Sequence, residues 1–246
     1  MLALADDEIH VWFVRPERAA DAALTQAYYA LLSADERERH RRFHFDRDRH
    51  MFLVARALVR TTLSRYAAVA PGAWTFREGP HGRPEIDSPA GLLPLRFNLS
   101  HTRGLAAVAV ALGVDVGIDV ENTQPRDTSS AIARRFFAPP EVRYFESVPP
   151  DRQPRVFLEF WTLKEAYIKA TGQGLSAGLS SFAMDLGDPP MVSFTNGNNT
   201  TAADWHFCHL PLTDSHVTSL AVFRPGAAPK VVVRETVPLS AVTTPS

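Results

Sequence analysis

The chain has 246 residues, of which 45% are hydrophobic and 22% are charged, and its formal net charge is −1. This composition is typical of a folded globular protein, and so small a net charge argues against a general nucleic-acid binder. No apolar run approaches the ~20 residues that a membrane-spanning helix needs, and residues 1–8 lack a secretory leader, so we expect a cytoplasmic protein without a membrane partner.

The first third of the chain is predicted to form a strand and two helices, at 8–15, 33–42 and 46–69. Ser33 followed by Glu36 is typical of a helix capping box. Nine arginines against three acids lie between Arg37 and Arg65. Some of these arginines form the solvated face of an amphipathic helix. The others either belong to the same solvated face or bind an anion, and the sequence alone leaves both interpretations open.

Short strands and helices are predicted to alternate in the remainder. The predicted strands are 74–77, 95–100, 105–112, 114–121, 180–186, 191–195, 204–210 and 217–224, and the predicted helices are 129–137, 140–147 and 154–171. His101 and His216 each begin the pattern H-x-x-x-L-A. An internal duplication and chance are both compatible with this echo.

Two acids lie close together in one of these strands. Asp119 and Glu121 are two residues apart, so their side chains project from the same face, about 7 Å apart along the backbone. Ile118 and Val120 then point into the core. The alternative is the ordinary solvated face of an edge strand.

An acid and two lysines lie close together on the helix predicted at 154–171. Glu165 and Lys169 are four residues apart and share a face, with Lys164 adjacent. The chain has three lysines among its 26 basic residues, and two of them fall within these six positions. A compact ammonium is a natural partner for phosphate. The alternative is a surface Glu/Lys pair worth about 0.2–0.5 kcal/mol.

Four segments resemble the Sfp-type 4′-phosphopantetheinyl transferases from about residue 30 to residue 225. These segments are Gly82-Arg83-Pro84, Phe97-Asn98-Leu99-Ser100-His101, GIDVE at 117–121 and WTLKEAYIKATGQGLS at 161–176. The resemblance implies transfer of the phosphopantetheine arm of coenzyme A to a serine of an acyl or peptidyl carrier protein, releasing adenosine 3′,5′-bisphosphate. Two alternatives remain: a metal-dependent hydrolase of nucleotide pyrophosphates, and a carrier-binding adaptor without turnover.

The resemblance also implies an α+β fold. Two similar halves are expected, each a long helix packed on a small, mostly antiparallel sheet, related by a pseudo-two-fold axis with the active site in the cleft between them. We expect the halves at 1–115 and 116–235, followed by a flexible tail at 236–246. A chain of two halves is expected to be a monomer.

The resemblance assigns a metal site and a catalytic group. Mg²⁺ is the implied metal, held by Asp119, Glu121 and Glu165, since it takes oxygen ligands. Glu165 is also a candidate base for the serine proton, although metal ligation competes with that role. The predicted catalytic residues are Glu165, Lys169 and His101.

The same resemblance implies a coenzyme site and a docking surface. The predicted coenzyme-binding residues are Arg39, Arg47, Arg56, Arg83, Ser100, His101, Lys164 and Lys169. Arg83 stands where the family commonly has lysine, which keeps the charge and changes the donor geometry. Carrier proteins of this kind are acidic, so the predicted docking residues combine cations and apolar groups: Ile132, Arg134, Arg135 and Phe136.

Overall fold

The computed structural model describes residues 1–79, 82–88, 94–124, 128, 130–174, 178–194 and 202–240. The chain divides into two compact units. Unit 1 comprises Met1–Glu78, Pro84–Gly113 and the C-terminal segment from Lys230, and unit 2 comprises Gly79–Arg83 and Val114–Pro229. No helix in the described part of the chain is both long and apolar enough to cross a membrane.

Helices and strands are mixed along the chain, which confirms the predicted α+β class. In chain order they are β1 (Glu8–Val14), α1 (Ala22–Leu31), α2 (Ala34–Arg41), α3 (Asp46–Leu63), β2 (Thr75–Glu78), β3 (Pro84–Ser88), β4 (Leu95–Thr102), β5 (Leu105–Leu112), β6 (Val116–Asn122), α4 (Ser130–Phe136), α5 (Pro139–Ser147), α6 (Gln153–Thr171), β7 (Phe182–Asp185), β8 (Met191–Phe194), β9 (Trp205–His209), β10 (His216–Phe223) and β11 (Lys230–Glu235).

In unit 1, helix α3 packs on a four-stranded sheet whose strand order is β11-β1-β5-β4. β1 and β4 pair antiparallel with β5. The helix buries an apolar stripe that includes Leu53 and Leu58, and β1 contributes the buried Trp12. Full burial of one such side chain stabilises the fold by about 1.5–3 kcal/mol. Packing of this stripe therefore fixes α3 on the sheet.

Strand β11 corrects the predicted division of the chain. Residues 230–235 were expected in the second half, whereas β11 pairs parallel with β1, placing Arg234 opposite Trp12. The Val231–Val233 run suits a strand. A parallel neighbour is joined through a long connection, so no local turn signal reveals the partner.

In unit 2, helix α6 packs across a three-stranded antiparallel sheet whose strand order is β6-β10-β9. Its core includes Phe160, Leu163, Ala166 and Val217, all at most 2% exposed. The helix ends at Gly172, whose φ of +66° is the left-handed conformation typical of a helix C-terminus. This ending agrees with the predicted stop at residue 171.

Other boundaries agree with the predictions or differ from them by at most six residues. The helix predicted at 46–69 ends at Leu63, and Ser64 caps it. The Ser33 capping box is confirmed, because the Ser33 hydroxyl accepts from Glu36 N–H and the Glu36 carboxylate accepts from Ser33 N–H. Residues 129, 195 and 241–246, at the ends of three predicted segments, lie outside the described residues.

Candidate active site

The acids of β6 and the charged face of α6 lie together in unit 2. Asp119 and Glu121 alternate with Ile118 and Val120, which are 0% and 2% exposed and therefore belong to the core. This is the pattern predicted for the strand. It leaves the two carboxylates on the same side of the sheet.

Helix α6 presents a partly exposed stripe of Trp161, Glu165 and Lys169, four residues apart, between buried neighbours. Lys169 Nζ donates to Asp119 Oδ1 at 2.6 Å and to the carbonyl oxygen of Ile118 at 3.3 Å. The helix and the strand are thus joined by an ion pair that includes one predicted metal ligand and one predicted phosphate ligand. Asp119 is 5% exposed and the Lys169 side chain is 27% exposed, so this pair is partly solvated from the lysine side.

Glu165 lies in the field of both strand acids. The pKa of Glu165 is raised to about 7: burial is the largest cause, Asp119 and Glu121 add to the rise, and Lys169 opposes it. A carboxylate that lies near two others binds a proton or a cation to reduce the repulsion. The three acids therefore form a local excess of negative charge beside the Lys169 ammonium.

The three acids supply the donor type of a magnesium site. Oxygen donors of this kind suit a hard divalent cation. In the part of the chain that the structure describes, however, no group of three or more His, Cys, Asp or Glu side chains is arranged closely enough to hold a metal ion. Asp119 is instead bound to Lys169 at 2.6 Å. Ligation would thus require Asp119, Glu121 and Glu165 to approach further.

Lys164 does not lie with the three acids and Lys169. Its side chain is 0% exposed, and Nζ donates to Leu179 O and Phe182 O at 2.7 Å each. A third partner is Glu141 Oε1 at 2.8 Å, whose side chain is also 0% exposed. The predicted pyrophosphate contact of Lys164 is therefore wrong for this arrangement, because a buried ammonium bound to three oxygens presents no charge to a ligand.

Sequence reasoning missed Glu141. Its carboxylate also accepts from Ala138 N–H at 2.6 Å and from Met184 N–H at 2.7 Å. The available signal was local: Glu141 is the third residue of α5, where an acid commonly caps a helix. That signal indicates the cap, but it does not indicate the lysine partner 23 positions away.

Arg83 binds the C-terminal end of α6. Its Nη1 donates to Ala170 O at 2.6 Å and lies 3.5 Å from Asp115 Oδ1. A cation at this end of a helix is favourable because it meets unsatisfied carbonyl groups and the negative end of the helix dipole. The structure thus gives Arg83 a structural contact, and its coenzyme contact stays a prediction.

In unit 1, two of the predicted coenzyme-binding arginines meet at one aromatic ring. The guanidinium carbons of Arg39 and Arg56 lie 5.5 and 5.2 Å from the ring centroid of Phe52. Glu36 Oε1 lies 3.6 Å from Arg56 Nε. Burial lowers the pKa of Arg56; Glu36 opposes this shift and Arg39 adds to it. Arg39 and Arg56 thus lie at the same ring, and Glu36 pairs with Arg56.

The remaining predicted coenzyme residues of unit 1 are arranged differently. The Arg47 side chain is 69% exposed, 3.4 Å from Asp48 Oδ1, and stacks on Phe45. Ser100 is buried near the end of β4, and His101 beside it is exposed. Alternation along the strand accounts for this difference. His101 is thus the more exposed residue of the pair, and its phosphate contact stays a prediction.

The predicted docking residues fall on α4, with mixed exposure. Arg134 and Arg135 are exposed, and Arg134 Nη2 lies 2.7 Å from Glu146 Oε1. Phe136 and Ile132 are half-buried, and the Phe136 ring packs edge-on against Trp161, 5.7 Å between centroids. Cations and apolar groups therefore lie side by side on this helix, adjacent to the α6 stripe.

Comparison with known proteins relates nearly the whole chain to one family. The model of the 4′-phosphopantetheinyl transferase superfamily matches residues 115–221, and the model of the N-terminal part of 4′-phosphopantetheinyl transferase matches residues 19–112. The chain is 34% identical over 229 residues to 4′-phosphopantetheinyl transferase HetI of Nostoc sp., covering 93% of each chain. It is 34% identical to a 4′-phosphopantetheinyl transferase of Bacillus subtilis and 31% identical to Sfp of B. subtilis strain 168, in each case over 183 residues, 74% of this chain and 79% of the relative.

Proposed function

Because this chain belongs to the 4′-phosphopantetheinyl transferase family, we propose that it transfers the phosphopantetheine arm of coenzyme A to a serine of an acyl or peptidyl carrier protein. The proposed reaction requires Mg²⁺ and releases adenosine 3′,5′-bisphosphate. The observation that carries the proposal is the meeting of Asp119, Glu121, Glu165 and Lys169 on one face of unit 2.

The reaction is a displacement at phosphorus. The serine oxygen forms a bond to the phosphorus that carries the pantetheine arm, and the bond from this phosphorus to the bridging oxygen of the pyrophosphate breaks. The bridging oxygen leaves with the electron pair as part of adenosine 3′,5′-bisphosphate, and the serine hydroxyl loses its proton. Charge builds up on the leaving phosphate, so positioning and cations supply most of the catalysis.

Lys169 supplies one such cation. Its side chain is 27% exposed and lies at the end of the α6 stripe, one turn beyond Glu165. In the proposed complex it contacts the pyrophosphate oxygens and stabilises the charge that develops there. Lys164 has no part in this contact, because it is buried against Glu141.

Asp119, Glu121 and Glu165 would hold the Mg²⁺ ion. Burial and the charges of Asp119 and Glu121 raise the pKa of Glu165, and such an ion would neutralise this excess of negative charge. When bound, Mg²⁺ supplies positive charge to the pyrophosphate oxygens. The proposal therefore implies that the three carboxylates move closer together when the ion binds.

The serine proton needs an acceptor near the ion. Glu165 has a pKa of about 7, which suits a general base at neutral pH. The same carboxylate becomes a weaker base when it binds a cation. We therefore rank ligation above proton transfer for Glu165, with water as the alternative acceptor.

The arginine pair of unit 1 is the proposed site for the nucleotide end of coenzyme A. Arg39 and Arg56 bring two guanidinium groups to the Phe52 ring, and guanidinium groups bind phosphate oxygens in pairs. Ser100 and His101 are proposed to donate hydrogen bonds to phosphate.

The remaining proposals concern the partner and the setting. The cations and half-buried rings of α4 are proposed to dock an acidic carrier protein. The protein is proposed to act as a monomer in the cytoplasm, without nucleic-acid or membrane partners.

A panel of purified apo carrier proteins tests the function. Each carrier is incubated with the protein, coenzyme A and a series of Mg²⁺ concentrations, and its mass is measured. A gain of one phosphopantetheine group on the carrier, lost on chelation of the metal, supports the proposal. Carrier-independent breakdown of coenzyme A supports a hydrolase instead, and binding of carrier without mass gain across the whole panel supports an adaptor.

A further inference from the structure

Helix α6 contacts the sheet of unit 2 at three points spaced along one helix face. Thr162 meets Ser219 of β10, Ala166 and Ala170 meet Gly117 of β6, and Lys169 meets Asp119 of β6. Positions 162, 166 and 169 or 170 are about one helical turn apart, so they lie on the same side. Two of these contacts involve no predicted ligand or catalytic group.

The Thr162 contact is a buried hydrogen bond between side chains. Thr162 Oγ1 and Ser219 Oγ are 2.6 Å apart, and both residues are 0% exposed. Thr162 Oγ1 also lies 2.8 Å from Leu158 O, and His209 Nδ1 lies 3.0 Å from Ser219 Oγ. The bond therefore belongs to a chain of groups joining the helix to β10 and β9, where an unmade hydrogen bond is costly.

The Gly117 contact sets how closely the helix approaches. A Cβ atom placed on Gly117 would overlap Ala166 O and lie 2.5 Å from Ala170 N. The overlap is with helix backbone, which no side-chain rotation relieves. Glycine at 117 and alanine at 166 and 170 thus allow α6 to lie directly on β6.

The Thr162–Ser219 contact and the Gly117 contact both lie next to Asp119 on the sheet. Ser219 is the cross-strand partner of Asp119, and Gly117 precedes Asp119 by two residues on the same face of β6. Glu165 lies on α6 between Thr162 and Lys169. A small slide or rotation of α6 on the sheet would consequently move Glu165 and Lys169 relative to Asp119.

We infer that Thr162 and Gly117 are positioning residues that hold α6 at the distance and register that places Glu165 and Lys169 against Asp119. Thr162 acts through Ser219, and Gly117 acts through the backbone of Ala166 and Ala170. The inference rests on the proposed function, since the groups positioned are the proposed metal and phosphate ligands.

Thr162→Val tests the inference, because valine keeps the shape and removes the hydroxyl. Gly117→Ala is a poorer test, since backbone overlap there threatens the fold itself. Thr61→Val is the matched control. Thr61 is a buried threonine of α3 in unit 1, and its Oγ1 donates to Ala57 O at 2.7 Å, as Thr162 Oγ1 donates to Leu158 O within α6. Thr162→Ser, which restores the hydroxyl, is the rescue variant.

Two quantities are measured for each variant: the affinity for Mn²⁺, by electron paramagnetic resonance without substrate, and the Mg²⁺ concentration that half-saturates transfer. Thr162→Val is expected to weaken both about tenfold, whereas Thr61→Val leaves both unchanged and Thr162→Ser restores most of the loss. Thr162→Val is expected to lose more stability than Thr61→Val, because it also removes the buried bond to Ser219. Urea denaturation should show that both variants are folded under the assay conditions, which separates positioning from folding.

The wild-type protein distinguishes the two possible failures. If it binds Mn²⁺ and transfers phosphopantetheine, and Thr162→Val matches Thr61→Val in both measurements, the positioning inference is overturned and the proposed function stands. If the wild-type protein neither binds Mn²⁺ nor requires a divalent ion, the inference falls together with the metal site.

Discussion

Lys164 and Glu141 form an ion pair in which both side chains are completely buried, with Nζ 2.8 Å from Oε1. Backbone groups satisfy the other donors and acceptors: Lys164 donates to Leu179 O and Phe182 O, and Glu141 accepts from Met184 N–H. The pair therefore joins α6 to α5 and to the start of β7. Lys169, five residues further along the helix, is 27% exposed, so the two lysines of the motif have different tasks.

Substitution of each lysine by methionine separates these tasks. Lys164→Met should lower the free energy of unfolding by about 3–5 kcal/mol, because it leaves the Glu141 charge buried without its cation. Lys169→Met should cost about 1 kcal/mol or less, since that pair is partly solvated, yet it should abolish transfer. Urea denaturation and the carrier mass assay measure the two effects. Equal stability of the two variants would contradict the assignment of Lys164 to the fold.

Replacement of Glu165 by glutamine should stabilise the protein and inactivate it. The amide keeps the shape and removes a buried charge that Asp119 and Glu121 repel. At pH 8 with a chelator present, we expect the free energy of unfolding to rise by about 1 kcal/mol, as is common when a functional site is neutralised. Thermal unfolding and the transfer assay provide the readouts.

Glu159→Gln is the control on the same helix. Glu159 Oε1 accepts from Arg155 Nε at 2.9 Å, so its substitution removes an attraction instead of a repulsion. We expect a slight loss of stability there and unchanged transfer. A loss of stability in Glu165→Gln as large as in Glu159→Gln would show that the acids of unit 2 do not repel each other.

Buried histidines should make the fold sensitive to acid. Burial lowers the pKa of His10 below its ordinary value of 6.5; Arg234 and Lys230 add to this, and Glu8 opposes it. Trp12 Nε1–H donates to Tyr66 OH at 2.7 Å, so the Tyr66 hydroxyl is oriented to donate to His10 Nδ1 at 2.8 Å. This arrangement needs the neutral ring.

The sign of the effect follows from proton linkage. Between the lowered folded pKa and 6.5 the unfolded chain binds more protons at His10, so the contribution of His10 to stability falls as the pH drops below 6.5 and is constant above it. The raised pKa of Glu165, about 7, contributes the opposite slope, so His10 is identified by the change in slope on its substitution. Burial also lowers the pKa of His209, which adds to the same trend. Urea denaturation from pH 5 to 8 measures the slope. In His10→Gln the slope should shrink; an unchanged slope would exclude His10 as a source.

Elements with local signals were predictable from sequence. The Ser33–Glu36 capping box and the stop of α6 before Gly172 both depend on residues within one helical turn. The Asp119–Glu121 face and the Glu165–Lys169 face likewise follow from the periods of strand and helix. These features supplied the core of the candidate site.

Features that depend on distant partners were not predictable. Lys164 and Lys169 look alike in sequence, and only the position of Glu141 on another helix decides which one is buried. The pairing of β11 with β1 joins residues more than 200 positions apart. The hydroxyl of Thr162 gave no signal, because its partner Ser219 lies 57 positions away.

The arginines of unit 1 should differ in their effect on coenzyme binding. Arg39 and Arg56 meet at the Phe52 ring, whereas the Arg47 side chain is 69% exposed beside Asp48. If the pair binds the 3′-phosphate, Arg39→Ala and Arg56→Ala should each raise the KM for coenzyme A about tenfold, the effect of one charge-assisted contact of about 1.4 kcal/mol. The KM for 3′-dephospho-coenzyme A should not change in either variant, and Arg47→Ala should alter neither KM. An equal rise for both substrates would instead place the arginine pair at the pyrophosphate or at another part of the coenzyme.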